Sequence, residues 1–118
     1  MGSKSRTKGK AGELEVAAIL RAYGPFPNAE RDLEQVRGTE NGRDIIGTPG
    51  FVVQVKRHAR VTQSVIENGL TEAAGSAADD ELVACVHRSD RQDWRITMNL
   101  LDWCEMAMRA ASWRMDND

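Results

Sequence analysis

The sequence predicts an α/β fold in which helices flank a central mixed β-sheet, and two observations support this prediction. Residues 43–47 and 51–57 have the pattern of two adjacent strands, and Thr48-Pro49-Gly50 joins them. Proline presets φ at the second position of a tight turn and glycine accepts the positive φ of the third, so this segment predicts a β-hairpin. Helical patterns lie on both sides of the hairpin, which indicates a layered α/β arrangement.

Local patterns place the remaining elements in order. The first helix is rich in Ala, Leu and Glu and ends before Gly24-Pro25. Ser64 and Glu67 have the spacing of a capping box, which predicts the start of the second helix. Asn99, with Asp102 three residues later, predicts the start of the last helix. The complete order is a helix at 11–23, a short strand at 33–37, the hairpin, a helix at 65–78, strands at 82–88 and 94–98, and a helix at 99–113.

Length and composition indicate one domain of a soluble globular protein. The chain has 118 residues, of which 41% are hydrophobic and 29% are charged. No apolar run approaches the ~20 residues of a membrane helix, and no apolar signal core follows the basic N-terminus. Cys85 and Cys104 form no CxxC pair, which is typical of reduced thiols in an intracellular protein. These features predict a cytoplasmic location and no membrane partner.

The charge of the chain is unevenly distributed. The formal net charge is only −2, but residues 1–60 hold eleven Lys and Arg against seven Asp and Glu, and residues 61–118 hold five against eleven. Such a chain can present a basic face to phosphates. Residues 1–10 are basic among Gly, Ser and Thr, which fits either a solvated, flexible tail or an arm that grips phosphates.

Four polar side chains stand out against the predicted elements. Because side chains alternate along a strand, Gln54 and Lys56 share one face, and Asp44 lies on the neighbouring strand. Glu13 falls on the apolar stripe of the first helix, so its carboxylate would lean toward the core, although the position also suits a semi-exposed glutamate that the helix dipole favours. An inward carboxylate is costly unless a cationic group meets it. The four residues therefore form a candidate catalytic set.

This set suits the hydrolysis of a phosphodiester. In-line hydrolysis needs a divalent metal to activate water and to neutralise charge on the phosphate. Asp44 offers the carboxylate oxygen that Mg²⁺ prefers, while Gln54 offers an amide oxygen and Val55 its main-chain carbonyl. Lys56 can orient the attacking water or counter the developing charge. Glu13 can act through the water shell of the metal or by holding Lys56.

The pattern resembles the PD-(D/E)XK nuclease superfamily and, more closely, the archaeal-type Holliday junction resolvases. The resemblance covers roughly residues 4–98 in element order. Most members of the superfamily carry an acidic residue where this chain has Gln54, which removes one formal charge from the metal site. The related Mrr-like and VRR-type branches also use glutamine in this place. The residues that carry the resemblance are 8–15 with Glu13 four positions after Gly9, Arg37-Gly38, Gly42-Arg43-Asp44-Ile45-Ile46 and Val53-Gln54-Val55-Lys56.

The resemblance implies a single restriction-endonuclease-like domain over residues 1–118, with a basic N-terminal arm at 1–10. It further implies a prokaryotic or phage-encoded, metal-dependent endonuclease that uses Mg²⁺, or Mn²⁺ in its place, and cuts four-way DNA junctions as a homodimer, because two symmetric cuts need two sites. Glu13, Asp44, Gln54 and Lys56 are the expected catalytic residues, and Glu13, Asp44, Gln54 and Val55 the expected metal ligands. The residues expected to contact DNA are Lys4, Arg6, Lys8, Lys10, Arg37, Arg43, Arg57, His58 and Arg60.

Two other functions fit the same sequence. One is a restriction or repair nuclease of this fold that cuts duplex or flapped DNA. The other is a DNA-binding module without catalytic activity, which kept the fold after Gln54 weakened the metal site. The preferred DNA substrate separates the first from a resolvase, and metal binding separates the second.

Overall fold

The computed structural model describes the backbone of residues 2–32 and 43–117, and the side chains of most of them. The short strand predicted at 33–37 lies outside these residues. Within them, the chain forms a five-strand mixed sheet with three helices, which confirms the predicted α/β class. The elements are α1 (Gly2–Tyr23), β1 (Glu30–Arg31), β2 (Ile45–Ile46), β3 (Phe51–His58), α2 (Gln63–Ser76), β4 (Leu82–Ser89), β5 (Arg95–Thr97) and α3 (Leu100–Asn117).

The strands lie in the sheet in chain order, β1-β2-β3-β4-β5. β3 and β4 are parallel and pair along their whole length, from Phe51 opposite Leu82 to His58 opposite Ser89. The other neighbouring pairs are antiparallel. Because a parallel connection needs a crossover, α2 must pass over one face of the sheet between β3 and β4.

The two faces of β3 are covered by different helices. Val53 belongs to a buried cluster with Val16 of α1, whereas Val52 belongs to a second cluster with Ala73 of α2. Burial on both faces explains why the first five residues of β3 and of β4 are apolar, with Gln54 the exception. The even-numbered residues of β3 therefore face α2, and the odd-numbered residues face α1.

The predicted turn of the hairpin is confirmed. The amide of Phe51 donates to the carbonyl of Thr48 at 3.0 Å, which closes a four-residue turn. Gly50 has φ of +85°, a conformation that L side chains rarely adopt, and it occupies the third position as predicted. The turn fixes the register in which Ile45 of β2 lies opposite Val53 of β3.

Two helix starts differ from the prediction. α1 begins at Gly2 rather than Ala11, so the basic segment continues the helix backwards. α2 begins at Gln63, and its N-cap is Thr62 rather than Ser64. Thr62 has an extended backbone, and its hydroxyl accepts from the amide of Val65 at 3.3 Å. Ser64 already lies in the first helical turn, so it cannot serve as the cap.

α3 is loosely attached to the sheet. Asp102 accepts a hydrogen bond from the amide of Val83 at 3.2 Å, which ties the first turn of α3 to β4. Leu101 and Met108 of this helix are 82% and 69% exposed. Among the helices described, none is both long and apolar enough to cross a membrane.

Arg43, at the entrance to β2, holds the connection between α2 and β4. Its guanidinium donates to both oxygens of Glu81, at 2.8 and 2.5 Å, and to the carbonyl of Ser76 at 3.0 Å. The amide of Ala78 also donates to Glu81 at 2.9 Å. The hydrogen bonds from Arg43 and then from Ala78 lower the pKa of Glu81 to about 2. This pair therefore depends on an ionised Glu81.

We predict that Glu81→Gln lowers the stability at pH 7 by about 2 kcal/mol, somewhat less than the pKa shift alone implies, because water reaches part of the pair. A lowered folded-state pKa contributes stability above the unfolded-state value of 4.5, and that contribution is lost as pH falls toward about 2. The difference between native protein and variant should therefore shrink across this window. Urea unfolding at several pH values measures it, with the exposed neighbour Asp80→Asn as control; a constant difference would contradict the prediction.

Candidate active site

The central part of β3 carries two of the predicted catalytic residues. Gln54 and Lys56 both face α2, as the alternation predicted. Gln54 is buried, at 3% exposure, while the side chain of Lys56 is 20% exposed. Their neighbours on β4 are Cys85 and His87, respectively. A buried carboxamide and a partly exposed ammonium therefore lie side by side under α2.

Glu72 of α2 joins these two residues. Its carboxylate accepts from the Lys56 ammonium at 3.0 and 3.2 Å, and from Nε2 of Gln54 at 3.2 Å. The side chain of Glu72 is 49% exposed, so water also reaches its carboxylate. Glu72 was absent from the predicted set, and it takes the role of holding Lys56 that the sequence suggested for Glu13.

Asp44 marks the point where β2 separates from β3. Its amide donates to the carbonyl of Val53 at 3.2 Å, and its Oδ2 accepts from the amide of Val55 at 2.7 Å. The Asp44 side chain thus takes the place of a main-chain carbonyl of β2 as the acceptor for the Val55 amide. Since the N–H and C=O of one strand residue point to the same side, the carbonyl of Val55 also faces the β2 side. The structure places these two predicted metal ligands next to each other.

The thiol of Cys85 shows that Asp44, Lys56 and Glu72 share one neighbourhood. Burial raises the pKa of Cys85 to about 11, the Lys56 cation opposes this, and the Asp44 and Glu72 carboxylates add to it. A Cβ placed on Gly69 of α2 would come 2.6 Å from the Cys85 sulfur and 3.4 Å from Cε of Lys56. Only glycine allows α2 to approach the sheet this closely.

Glu13 is buried as predicted but has a different partner. It is 8% exposed, and its Oε2 accepts from Nε of Arg31 on β1 at 2.5 Å. Burial raises the pKa of Glu13, Arg31 lowers it, and the nearby Asp32 carboxylate raises it. Glu13 projects from α1, which covers the opposite face of β3 from Gln54 and Lys56. The structure therefore separates Glu13 from the Lys56–Glu72 pair.

The oxygen atoms of Asp44, Gln54 and Val55 are of types that suit a hard divalent cation. Oε1 of Gln54 is buried and has no hydrogen-bond partner among the residues described, while its Nε2 is fixed by Glu72. A buried acceptor without a partner costs about 1–3 kcal/mol, unless a ligand satisfies it. Asp44, the Gln54 amide and the Val55 carbonyl supply the oxygen types that Mg²⁺ accepts, and Mg²⁺ commonly keeps several waters beside one or two carboxylates. In the described parts of the chain, no three His, Cys, Asp or Glu side chains form a metal-binding group.

Basic residues surround the C-terminal end of β3. Lys8 of α1 donates to Asp90 at 3.0 Å, and Arg57 also donates to Asp90. The bonds from Arg57 and then Lys8 lower the pKa of Asp90. Burial, followed by the charges of Lys56 and Lys8, lowers the pKa of His58, which places His58 among these cations. A DNA phosphate can bind Lys8 and Arg57 only by displacing the Asp90 carboxylate, which both side chains already bind.

The other residues predicted to contact DNA have different surroundings. Lys10 and Arg60 are exposed. Arg43 is held by Glu81 and Ser76, away from this cluster of cations. The side chains of Lys4 and Arg6, and all of Arg37, lie outside the described residues.

Three partners of the predicted site residues, Glu72, Arg31 and Asp90, were missed from the sequence. Glu72 had a usable pattern, because it follows Gly69 by three residues and precedes Ala73, and both of these small residues are buried against the sheet. Arg31 and Asp90 had none, since their partners Glu13 and Lys8 are 18 and 82 residues away in the chain.

Comparisons of the chain with models of protein families, with curated proteins and with solved structures found no match.

Proposed function

We propose that the chain is a metal-dependent endodeoxyribonuclease whose chemistry is carried by Asp44, Gln54 and Lys56. The observation that carries the proposal is the buried Gln54 carboxamide, whose oxygen has no partner among the described residues while Glu72 fixes its nitrogen and Lys56. The large majority of buried side-chain polar atoms in proteins have a hydrogen-bond partner, so an exception calls for an explanation. A buried acceptor without a partner, next to the Glu72 carboxylate and the Lys56 ammonium, is typical of a site that binds a ligand.

The residues divide the work of phosphodiester hydrolysis between them. Asp44, the Gln54 amide oxygen and the Val55 carbonyl would hold Mg²⁺ or Mn²⁺, which would supply positive charge to the phosphate and to the attacking water. Lys56, fixed by Glu72, directs an ammonium at the charge that develops on the phosphate oxygens. Glu13, paired with Arg31, supports the packing of α1 against the sheet rather than the chemistry.

The proposed substrate is a four-way DNA junction, cut symmetrically by a homodimer in the cytoplasm. This part rests on the resemblance of the motifs 8–15, 42–46 and 53–56 to the archaeal-type resolvases, together with the order of helices and strands. The cations near His58 support a DNA substrate, because phosphate contacts by Lys and Arg provide most of the affinity for nucleic acid. Such binding should weaken steeply as salt is raised.

The test is cleavage of a labelled immobile four-way junction, a flap and a linear duplex of matched sequence, each with Mg²⁺ and with Mn²⁺. We expect paired nicks at symmetric positions in the junction and slower cleavage of the other two substrates. Asp44→Asn should abolish the nicks, because it removes the carboxylate of the site. Preference for flap or duplex would instead indicate a restriction or repair nuclease. Tight junction binding without cleavage in either metal would indicate a DNA-binding module.

A further inference from the structure

Glu72 binds both polar residues that β3 presents to α2. Its two oxygens accept from the Lys56 ammonium, and one of them also accepts from Nε2 of Gln54. A carboxylate has only acceptors, so it meets donors alone. The Gln54 carboxamide must therefore turn its nitrogen to Glu72 and its oxygen elsewhere. In this orientation Oε1 is the buried acceptor without a partner among the described residues.

We propose that Glu72 is the positioning residue of the site. It selects the orientation of the Gln54 carboxamide that offers oxygen to a metal, and it holds the Lys56 ammonium on the same face. The inference deepens the proposed nuclease function and rests on it. With a carboxylate at position 54, as in most of the superfamily, both oxygens are equivalent and no orientation is needed. A glutamine at this position creates the requirement that Glu72 meets.

The first readout is Mn²⁺ affinity, measured by calorimetry. Glu72→Gln keeps the size of the side chain, but a carboxamide can present either its oxygen or its NH₂ group to Gln54, so it no longer selects one orientation of Gln54. It also loses the negative charge that pairs with the Lys56 ammonium. We expect roughly 10-fold weaker Mn²⁺ binding in this variant, the size of effect typical of residues that orient metal ligands. Glu67→Gln is the matched control, because Glu67 is an exposed glutamate of the same helix whose partner is Gln63.

A double-mutant comparison separates orientation from simple charge. In the Gln54→Glu background, Glu72→Gln should change Mn²⁺ affinity by less than about twofold or strengthen it, because the coupling between the two positions is removed. An equal loss in both backgrounds would overturn the inference, since Glu72 would then act on the metal without Gln54. Native affinity in Glu72→Gln alone would also overturn it.

The second readout does not depend on metal or cleavage. The side-chain amide signals of Gln54 in a ¹H–¹⁵N spectrum are identified as the pair that disappears in Gln54→Glu. We expect this pair to shift and exchange faster with water in Glu72→Gln, while the backbone signals of β4 stay in place. Unchanged Gln54 amide signals in Glu72→Gln would overturn the inference, whether or not the native protein binds Mn²⁺. Absence of Mn²⁺ binding by the native protein would separately refute the proposed nuclease. Cleavage by the native protein, with an unchanged pair, would reject the role of Glu72 alone.

Discussion

Lys56→Met is expected to slow junction cleavage at least ~100-fold, the usual cost of removing one charged donor aimed at a developing negative charge. Methionine is unbranched and of similar length, so it keeps the packing of the side chain against Gly69. The loss should therefore appear in the rate of the chemical step and not in folding. Single-turnover cleavage with enzyme in excess over the DNA measures it, and thermal unfolding shows whether the variant is folded.

The control for charge is Arg114→Met, which removes one positive charge from the exposed end of α3. This variant should cleave at the native single-turnover rate. Lys56→Arg tests geometry, because a planar guanidinium keeps the charge but cannot reproduce a compact ammonium beside Glu72. We expect it to remain well below the native rate. Cleavage by Lys56→Met at the native rate would show that Lys56 lies outside the reacting centre, whatever the substrate.

The strands at the centre of the fold were predictable because burial imposes their pattern. β3 and β4 are covered on both faces, so their apolar residues form runs that the sequence displays directly. The turn before β3 was predictable because Pro49 and Gly50 each suit one position of it. α3 was predicted as a helix, but its exposed apolar residues could not be foreseen. A sequence shows an apolar stripe and not whether another element covers it.

The helix starts were harder to predict, for two physical reasons. Thr62 and Ser64 both carry a hydroxyl suited to a cap, and only the extended backbone of Thr62, with ψ of 168°, decides between them. Gly9 and the Ser and Thr residues before Lys8 have low helix propensity, which favoured a start at Ala11. The contact of Lys8 with Asp90 near the end of β4 is a tertiary interaction that no local pattern contains.

The positions of site residues were predictable where the repeat of a strand or a helix sets the direction of the side chain. They were unpredictable where contacts between distant parts of the chain set them. Alternation placed Gln54 and Lys56 on one face, and helical spacing placed Glu13 inward. The same spacing argument applied to α2 would have found Glu72. The assignment of Glu13 to Lys56 failed, because the sequence did not reveal that α1 and α2 cover opposite faces of β3. β1 is only two residues long, so Arg31 gave no strand pattern to interpret.

The buried pair of Glu13 and Arg31 leads to the largest expected effect on stability. The two side chains are only 11% and 15% exposed, and they meet at 2.5 Å. Arg31→Met leaves the Glu13 carboxylate buried without this cation, and breaking a buried pair in this way typically costs about 3–5 kcal/mol. We expect a loss of that size at pH 7.5 in urea unfolding. Glu13→Gln in the Arg31→Met background should recover part of it, because the remaining group is then uncharged.

The pKa of Glu13 determines in which direction the stability loss of Arg31→Met changes with pH. Burial raises the pKa of Glu13 in the folded state, so the folded protein binds this proton more tightly than the unfolded chain does. Stability therefore falls as pH rises from 4.5 through the folded-state pKa. Arg31 limits that fall by favouring the ionised form. Without it the pKa of Glu13 should rise further, and the deficit of Arg31→Met should be larger at pH 7.5 than at pH 5.

Arg109→Met provides the matched control, since it breaks an ion pair with Glu105 whose side chains are 52% and 53% exposed. Exposed pairs four residues apart on a helix contribute only about 0.3–0.5 kcal/mol, so this variant should unfold almost as the native protein does. Burial is the main difference between the two pairs, because the same substitution is made in both. If Arg31→Met lost no more stability than Arg109→Met, the Glu13 carboxylate would have to find water or another donor once Arg31 is removed. Glu13 would then be accessible from outside the core, and its exclusion from the chemistry of the site would have to be reconsidered.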